Sequence, residues 1–261
     1  MSFIHNYIDT INKKNRKALS IFLTAGFPDK NNFIELAKSV LDAGADILEL
    51  GIPFSDPLAD GPIIQTSSTI ALKNNTTTKD VLKYAEQLAN YSEKPIILMG
   101  YANPINHYNK NNFFKDASSA GVKGIIVPDV PLEEYDYFFD CDIYNLDVIL
   151  LVTPTSTNDR IKLIDHKSKG FVYCVSVTGT TGIKDSFGED TYNNLKRTYS
   201  VIEKNKMLIG FGISKSEDIK NFAPYCDGVI VGSKIIKTIL DNNKLDNTVR
   251  IINEFSEACN F

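Results

Sequence analysis

The sequence has no excess of positive charge and no long apolar segment. Its 261 residues include 28 Lys and Arg against 32 Asp and Glu, a formal net charge of −4. The absence of a basic stripe argues against electrostatic capture of nucleic acid. No run approaches the ~18 apolar residues of a membrane span, and residues 1–17 lack the continuous apolar stretch of a secretion signal. We expect a cytoplasmic bacterial protein, or one of the plastid stroma if an organelle genome encodes it.

Cysteine and histidine are too few and too scattered for a metal centre or a disulfide framework. Cys141, Cys174, Cys226 and Cys259 are widely spaced and form no Cys-x-x-Cys pair, which fits a reducing compartment. The three histidines share no motif, and there is no Gly-x-Ser-x-Gly element and no P-loop. We therefore expect no metal site, no histidine-based triad and no nucleotide-binding loop.

Short apolar, β-branched segments alternate with segments of helical periodicity, which is typical of βαβ units. The predicted strands are residues 19–24, 47–51, 95–100, 124–128, 147–152, 171–176, 207–210 and 228–231. The predicted helices include 31–43, 112–120, 159–166, 191–203 and 216–223, with loops at 74–75 and 109–112. Eight such strands favour a closed (β/α)8 barrel over an open doubly wound sheet. We expect one TIM-barrel domain over residues 1–261, with parallel strands and a short N-terminal helix.

The second predicted strand contains a carboxylate between two apolar neighbours. Because alternate strand residues point to opposite faces, Glu49 points away from both Leu48 and Leu50. If it points into the barrel, burial raises its pKa and lets it exchange a proton near neutral pH. Asp60, in the Pro- and Gly-rich loop that follows, is a second carboxylate that can stay ionised. The alternative is that Glu49 forms a structural ion pair and Asp60 caps a helix.

Two glycine-rich turns follow the last two predicted strands, at residues 210–214 and 231–234, and a helical pattern begins at Ser233. Glycines let backbone N–H groups approach an anion, and a helix start adds its positive dipole end. Loops after strands seven and eight are the usual phosphate site of this fold. The predicted phosphate-binding residues here are Gly212, Ile213, Gly232 and Ser233. Two ordinary tight turns with a serine cap are the alternative.

A third loop, residues 176–188, is long and rich in glycine and small hydroxylated residues. Such a loop can close over a ligand and exclude water. Gly179 and Thr180 are within reach of the predicted phosphate site. The alternative is an ordinary surface loop.

The order and spacing of six segments resemble one family. They are residues 24–28, 48–62, 100–104, 128–131, 176–182 and 210–214, of which 48–62 is the most specific. Over nearly its whole length the chain resembles the tryptophan synthase alpha chain family. The resemblance implies a lyase of tryptophan biosynthesis that cleaves indole-3-glycerol phosphate to indole and glyceraldehyde 3-phosphate. It also implies that this chain needs no metal and no cofactor.

The resemblance implies a role for each candidate residue. Glu49 matches the general acid/base that acts at indole C3 and at the glycerol hydroxyl, and Asp60 matches the carboxylate that stabilises charge at the indole N1–H. The matching substrate positions are Phe22, Met99, Tyr101 and Val152 around the indole, Tyr173 near the glycerol chain, and Thr181 in the closing loop. The matching phosphate positions are Gly179, Thr180, Gly212, Ile213, Gly232 and Ser233.

The resemblance further implies a partner, a PLP-dependent beta chain that receives indole in an alpha2–beta2 heterotetramer. Phe54 is an apolar side chain in an otherwise polar loop, which favours its being covered. The expected contacts, all on loops beside the site, are Pro53, Phe54, Asp56, Asn103, Asp129 and Pro131.

Two other functions stay open at this point. One is another phosphate-binding barrel enzyme of the same pathway, which would carry a catalytic Lys or Cys at a strand end. No predicted strand end has one, although Lys123 and Lys234 lie nearby. The other is an inactive barrel that activates a partner chain, and retention of both Glu49 and Asp60 argues against it.

Overall fold

A computed structural model describes residues 2–139, 141–176, 187–241 and 245–261 of the chain. Its strands are β1 Ala18–Thr24, β2 Ile47–Gly51, β3 Ile96–Met99, β4 Gly124–Ile126, β5 Asp147–Val148, β6 Leu150–Val152, β7 Phe171–Val175, β8 Lys206–Gly210 and β9 Gly228–Val231. All neighbouring strands pair in parallel, in the order β5-β4-β3-β2-β1-β9-β8-β7-β6.

The two outer strands of this order are halves of one strand, so the sheet closes into a barrel. Only Ile149 separates β5, which pairs with β4, from β6, which pairs with β7. At the break the Leu150 N–H donates to the Ser168 hydroxyl at 3.1 Å instead of continuing the ladder. Counted this way, the ring has the eight parallel strands of the predicted (β/α)8 barrel.

Helices surround the barrel, and their buried faces follow the apolar pattern of the sequence. They are α1 Phe3–Asn12, α2 Phe33–Asp42, α3 Pro62–Lys73, α4 Thr78–Tyr91, α5 Ala102–Tyr108, α6 Lys110–Ser119, α7 Tyr135–Phe138, α8 Asn158–Lys167, α9 Glu189–Val201, α10 Ser216–Phe222, α11 Ser233–Asp241 and α12 Leu245–Ala258. The short N-terminal helix is α1. The five predicted helices end within two residues of the observed bounds. None of the described helices is long and apolar enough to cross a membrane.

The loop predicted at 109–112 is wrong for most of its length. Asn109 alone joins α5 to α6, with a φ of 84°, and its side chain accepts a hydrogen bond from the Asn112 N–H at 3.2 Å. Asparagine tolerates the left-handed region and caps helix N-termini, so one residue makes both the turn and the cap. Residues 110–112 therefore form the first turn of α6, whereas the loop at 74–75 is confirmed.

Pairing between β1 and β2 sets the geometry of the site. The register places Phe22 beside Glu49, and both side chains are largely or fully buried inside the barrel. Because all strands of a parallel barrel run the same way, their following loops gather at one face. The predicted site-bearing loops therefore meet at the carboxyl ends of the strands.

Candidate active site

A cavity opens at the carboxyl end of the barrel. Both predicted carboxylates border it, together with three predicted substrate positions and four predicted phosphate positions. Its lining consists of Phe22, Glu49, Asp60, Ile64, Met99, Tyr173, Phe211, Gly212, Ile213, Ile230, Gly232 and Ser233.

Glu49 is fully buried and has one hydrogen-bond partner. The Ser20 hydroxyl donates to Oε1 at 2.7 Å, and Oε2 has no partner within the described part of the chain. Burial raises the pKa of Glu49 from 4.5 to about 7, and the hydrogen bond from Ser20 opposes that rise. No cation among the described residues pairs with this carboxyl, which argues against the ion-pair alternative. Glu49 can both give and accept a proton near neutral pH.

Asp60 is held by Tyr101 rather than used as a helix cap. The Tyr101 hydroxyl donates to Asp60 Oδ2 at 3.0 Å and accepts from the Ala59 N–H at 3.2 Å. Helix α3 has Gly61 as its N-cap and no side-chain cap bond. Burial raises the pKa of Asp60 from 3.8 to about 6, and the Tyr101 hydrogen bond opposes the rise. At pH 7 Asp60 is therefore mostly ionised while Glu49 is near its midpoint.

Two glycines make room for the aromatic walls of the cavity. A Cβ at Gly51 would lie 2.4 Å from Phe22 Cζ, and one at Gly210 would lie 2.3 Å from the Tyr173 hydroxyl oxygen. The Tyr173 ring also makes an edge contact with Phe211, with ring centroids 6.0 Å apart. These close approaches allow flat rings to line a narrow space.

Phe211 is a cavity residue that the sequence analysis did not single out. Its φ is 75°, a left-handed conformation that is rare for a bulky residue and tends to occur at functional sites. The sequence does contain a signal for it, because Phe211 lies between two glycines of a predicted phosphate turn. Ile64 and Ile230, also missed, carry no signal because they read as ordinary core residues.

The described part of the predicted phosphate site, four of its six residues, combines a left-handed turn with a helix start. Gly212 has a φ of 79°, and α11 begins at Ser233. The Ile236 N–H donates to the Gly232 carbonyl at 3.0 Å, so the N–H groups of residues 233–235 precede the helical ladder. Backbone donors and a helix dipole thus lie at one end of the cavity, which suits an anion.

Two of the predicted substrate positions do not border this cavity. Tyr101 does not line the cavity, because its hydroxyl is engaged with Asp60. Val152 is fully buried and does not border the cavity, since neighbouring core side chains cover it. Gly179, Thr180 and Thr181 lie outside the described residues.

The loops predicted to bind a partner surround the mouth of the site. Asp56, Asn103, Asp129 and Pro131 are exposed, whereas Pro53 is buried within the chain. Phe54 is half-buried because its ring packs on Tyr101, with centroids 5.5 Å apart. The apolar side chain that is left uncovered in the described part of this loop is Leu58, which is 82% exposed.

No lysine or cysteine in the described part of the chain is suitably placed for catalysis in this cavity. Lys123 precedes β4 at the opposite end of the barrel, where its Nζ lies 5.2 Å from the centre of the Phe3 ring. Lys234 does not line the cavity. Burial raises the pKa of Cys174, on β7, to about 12, so its thiol stays protonated. Among the described residues, no group of three His, Cys, Asp or Glu side chains is arranged to hold a metal ion.

Comparison with known proteins agrees with this geometry. The family model described as tryptophan synthase alpha chain matches residues 8–260. The tryptophan synthase alpha chain of Prochlorococcus marinus is 40% identical over 261 residues, covering 99% of this chain and 92% of that one. A solved structure from Aquifex aeolicus VF5 has a TM-score of 0.90, 34% identity and full coverage of both chains. The structure of Mycobacterium tuberculosis tryptophan synthase has a TM-score of 0.91 and 29% identity, covering 100% of this chain and 99% of that chain. This chain belongs to the tryptophan synthase alpha chain family.

Proposed function

We propose that Glu49 and Asp60 are the catalytic groups of this family's reaction. That reaction is the retro-aldol cleavage of indole-3-glycerol phosphate to indole and glyceraldehyde 3-phosphate, a lyase step of tryptophan biosynthesis that needs no cofactor in the alpha chain. One observation carries the proposal. Two buried carboxyls with different pKa values border the same cavity, whose far end offers backbone donors to a phosphate.

The two carboxyls suit the two demands of the cleavage. Protonated Glu49 delivers a proton to indole C3, and the resulting positive charge at the N1–H is stabilised by ionised Asp60. Ionised Glu49 then accepts the proton of the glycerol hydroxyl. The carbon–carbon bond breaks as an aldehyde forms, and its electron pair returns to the indole ring. A group near its pKa midpoint is suited to acting in both directions.

The phosphate end supplies binding energy away from the breaking bond. Gly212 and Ser233 present backbone donors, and binding there restrains the substrate so that its indole ring reaches the carboxyls. Phe22, Met99 and Tyr173 border the space between, where a flat apolar ring fits.

The test is to incubate the purified chain with indole-3-glycerol phosphate and to measure both indole and glyceraldehyde 3-phosphate. We expect both products from the wild-type chain and neither, above background, from Glu49→Gln. Turnover without indole would favour another phosphate-binding barrel enzyme. No turnover, alone or with a beta chain, would favour an inactive activator.

The family implies a beta chain partner, and we propose that it docks on the loops around the cavity mouth to form an alpha2–beta2 complex. Exposed Leu58 and the exposed residues Asp56, Asn103, Asp129 and Pro131 support this choice of face. Phe54 lies between that face and the site, because its ring touches Tyr101 and Tyr101 holds Asp60.

Mixing the chain with the beta chain of the same source and measuring the mass of the complex tests the partner. We expect a species of two chains of each kind, which Leu58→Lys weakens. The matched control is Leu163→Lys on α8, where Leu163 is 56% exposed, and it should leave association unchanged. Equal weakening by both variants, or no complex at all, would contradict this docking face.

A further inference from the structure

The Ser20 hydroxyl is the closest polar neighbour of the Glu49 carboxyl. It donates to Oε1 at 2.7 Å, and both residues are fully buried. Ser20 interrupts an otherwise apolar stretch of β1, and its partners in the register are Ile47 on β2 and Ile230 on β9. A hydroxyl buried without a partner is costly, so the contact with Glu49 accounts for its presence in this apolar layer.

Strand geometry brings the two groups together. Ser20 and Phe22 point to the same face because they are two residues apart on β1. Phe22 lies directly beside Glu49 in the register, and Ser20 lies one layer nearer the amino-terminal end of the barrel. Ser20 therefore contacts the carboxyl from the amino-terminal side and does not line the cavity, whereas Phe22 does.

We propose that Ser20 is a positioning residue for Glu49, which holds Oε1 as an acceptor and leaves Oε2 as the oxygen that carries and delivers the proton. This proposal rests on the proposed catalytic role of Glu49. A hydroxyl has one proton to donate, and Glu49 Oε1 is its hydrogen-bond partner within the described residues. With Oε1 engaged as an acceptor, protonation falls on Oε2, which has no partner of its own there.

Ser20 also opposes the effect of burial on the titration of Glu49. A donated hydrogen bond favours the ionised carboxyl and lowers its pKa. Among the described residues, the other titratable groups that face the same cavity are Asp60, from the loop after β2, and Tyr173, from β7. The pKa of Tyr173 lies far above neutral, so it does not titrate in this range. Burial raises the pKa of Asp60 to about 6, so its titration overlaps that of Glu49, and only the infrared spectra assign the Glu49 step.

The experiment compares Ser20→Ala with Ser20→Thr, which keeps the hydroxyl. The control is Ser168→Ala, which removes a fully buried hydroxyl near the break between β5 and β6, outside the cavity. For each variant kcat and KM are measured with indole-3-glycerol phosphate across the range of both carboxyl pKa values. Infrared difference spectra against the corresponding Glu49→Gln proteins report the protonation of the Glu49 carboxyl directly.

We expect Ser20→Ala to move the Glu49 titration upward by about one to two pH units, the size of a lost hydrogen bond to a charged group. For a one-unit shift we expect the pH profile of kcat to move upward by the same unit, because the ionised fraction of Glu49 at pH 7 falls from about one half to about one tenth. KM should stay unchanged because Ser20 does not line the cavity. Ser20→Thr should restore both properties, and Ser168→Ala should change stability without moving the titration.

Several outcomes would overturn the proposal. A Ser20→Ala profile that overlays the wild type shows that the hydroxyl only fills space. The same shift in Ser20→Thr shows that packing, and not the hydroxyl, is responsible. If Glu49→Gln still releases indole, the proposed function fails. If Glu49→Gln is inactive and Ser20→Ala is normal, only the Ser20 proposal fails.

Discussion

At the amino-terminal end of the barrel, Asp46 accepts hydrogen bonds from the Leu19 N–H and the Arg16 guanidinium at 2.8 and 2.6 Å. At the carboxyl end, Glu49 lies three residues further along the same segment, with a single hydroxyl donor and a free Oε2 within the described residues. Both carboxyls are buried, and the difference lies in how many donors reach them.

Other carboxylates at the amino-terminal end repeat the pattern of Asp46. Asp165 accepts from three successive backbone N–H groups, those of residues 203–205, and Asp227 accepts from the Met207 N–H at 2.8 Å. Asp147 departs from it, since its Oδ2 has no partner among the described residues. Well-satisfied carboxylates tie strands and helices together, whereas burial raises the pKa values of Glu49 and Asp60, which border the cavity.

The largest expected effect separates activity from folding. Glu49→Gln should lower the rate of indole release by about 10²–10⁴, because a positioned acid/base is lost. Asp46→Asn should keep most of the activity of the folded protein, because Asp46 lies at the other end of the barrel. Steady-state rates with circular dichroism spectra check both. Near-normal turnover of Glu49→Gln would make Glu49 a structural residue.

The second prediction tests whether Asp46, at the amino-terminal end of the barrel, stabilises the fold. Asp46→Ala leaves Arg16 without its carboxylate and the Leu19 N–H without its acceptor, and both partners are mostly buried. We expect the free energy of unfolding to fall by about 3 kcal/mol. Urea unfolding measures it, and a loss below about 1 kcal/mol would mean that this pair resembles an ordinary surface ion pair.

The third prediction concerns pH. The folded pKa of Glu49, about 7, lies above its ordinary value of 4.5, so the folded state holds more protons between these values. Its contribution to stability is present below pH 4.5 and is lost as the pH rises through about 7. As the pH rises through this range, we expect the free energy of unfolding of Glu49→Gln to increase by up to about 3 kcal/mol relative to that of the wild type. Unfolding free energies of the wild type and Glu49→Gln are measured at both ends of this pH range. The difference between the two proteins should change with pH, and a constant difference would contradict the raised pKa.

The smallest expected effect concerns the phosphate end of the cavity. Gly212→Ala puts a side chain on a residue with a φ of 79°, and Gly170→Ala does the same near the amino-terminal end, where φ is 85°. Both should lose stability, but only Gly212→Ala should weaken binding of the phosphorylated substrate, by about tenfold or 1.4 kcal/mol. Calorimetric titration of each variant with the substrate and with indole separates a loss at the phosphate end from a general loss of binding. An equal loss of affinity for both ligands would indicate that the barrel itself is disturbed.

Much of the fold and part of the site follow from local patterns. The strands and the five named helices were predictable because apolar periodicity and turn residues act over a few neighbouring positions. Glu49 stood out because strand alternation isolates it between two apolar neighbours. The single-residue turn at Asn109 was missed because its side-chain cap replaced a longer loop.

The sequence by itself determined the alternation of strands and helices, the isolation of Glu49 between two apolar neighbours and the glycine-rich turns. Only the tertiary structure decided which side chains contact the two carboxyls of the site. Ser20 reaches Glu49 across 29 residues of sequence, and Tyr101 reaches Asp60 across 41. The tertiary structure also decided that Phe54 packs on Tyr101 and is half-buried while Leu58 is exposed. Such contacts depend on strand register and loop packing between distant segments, which no local pattern contains.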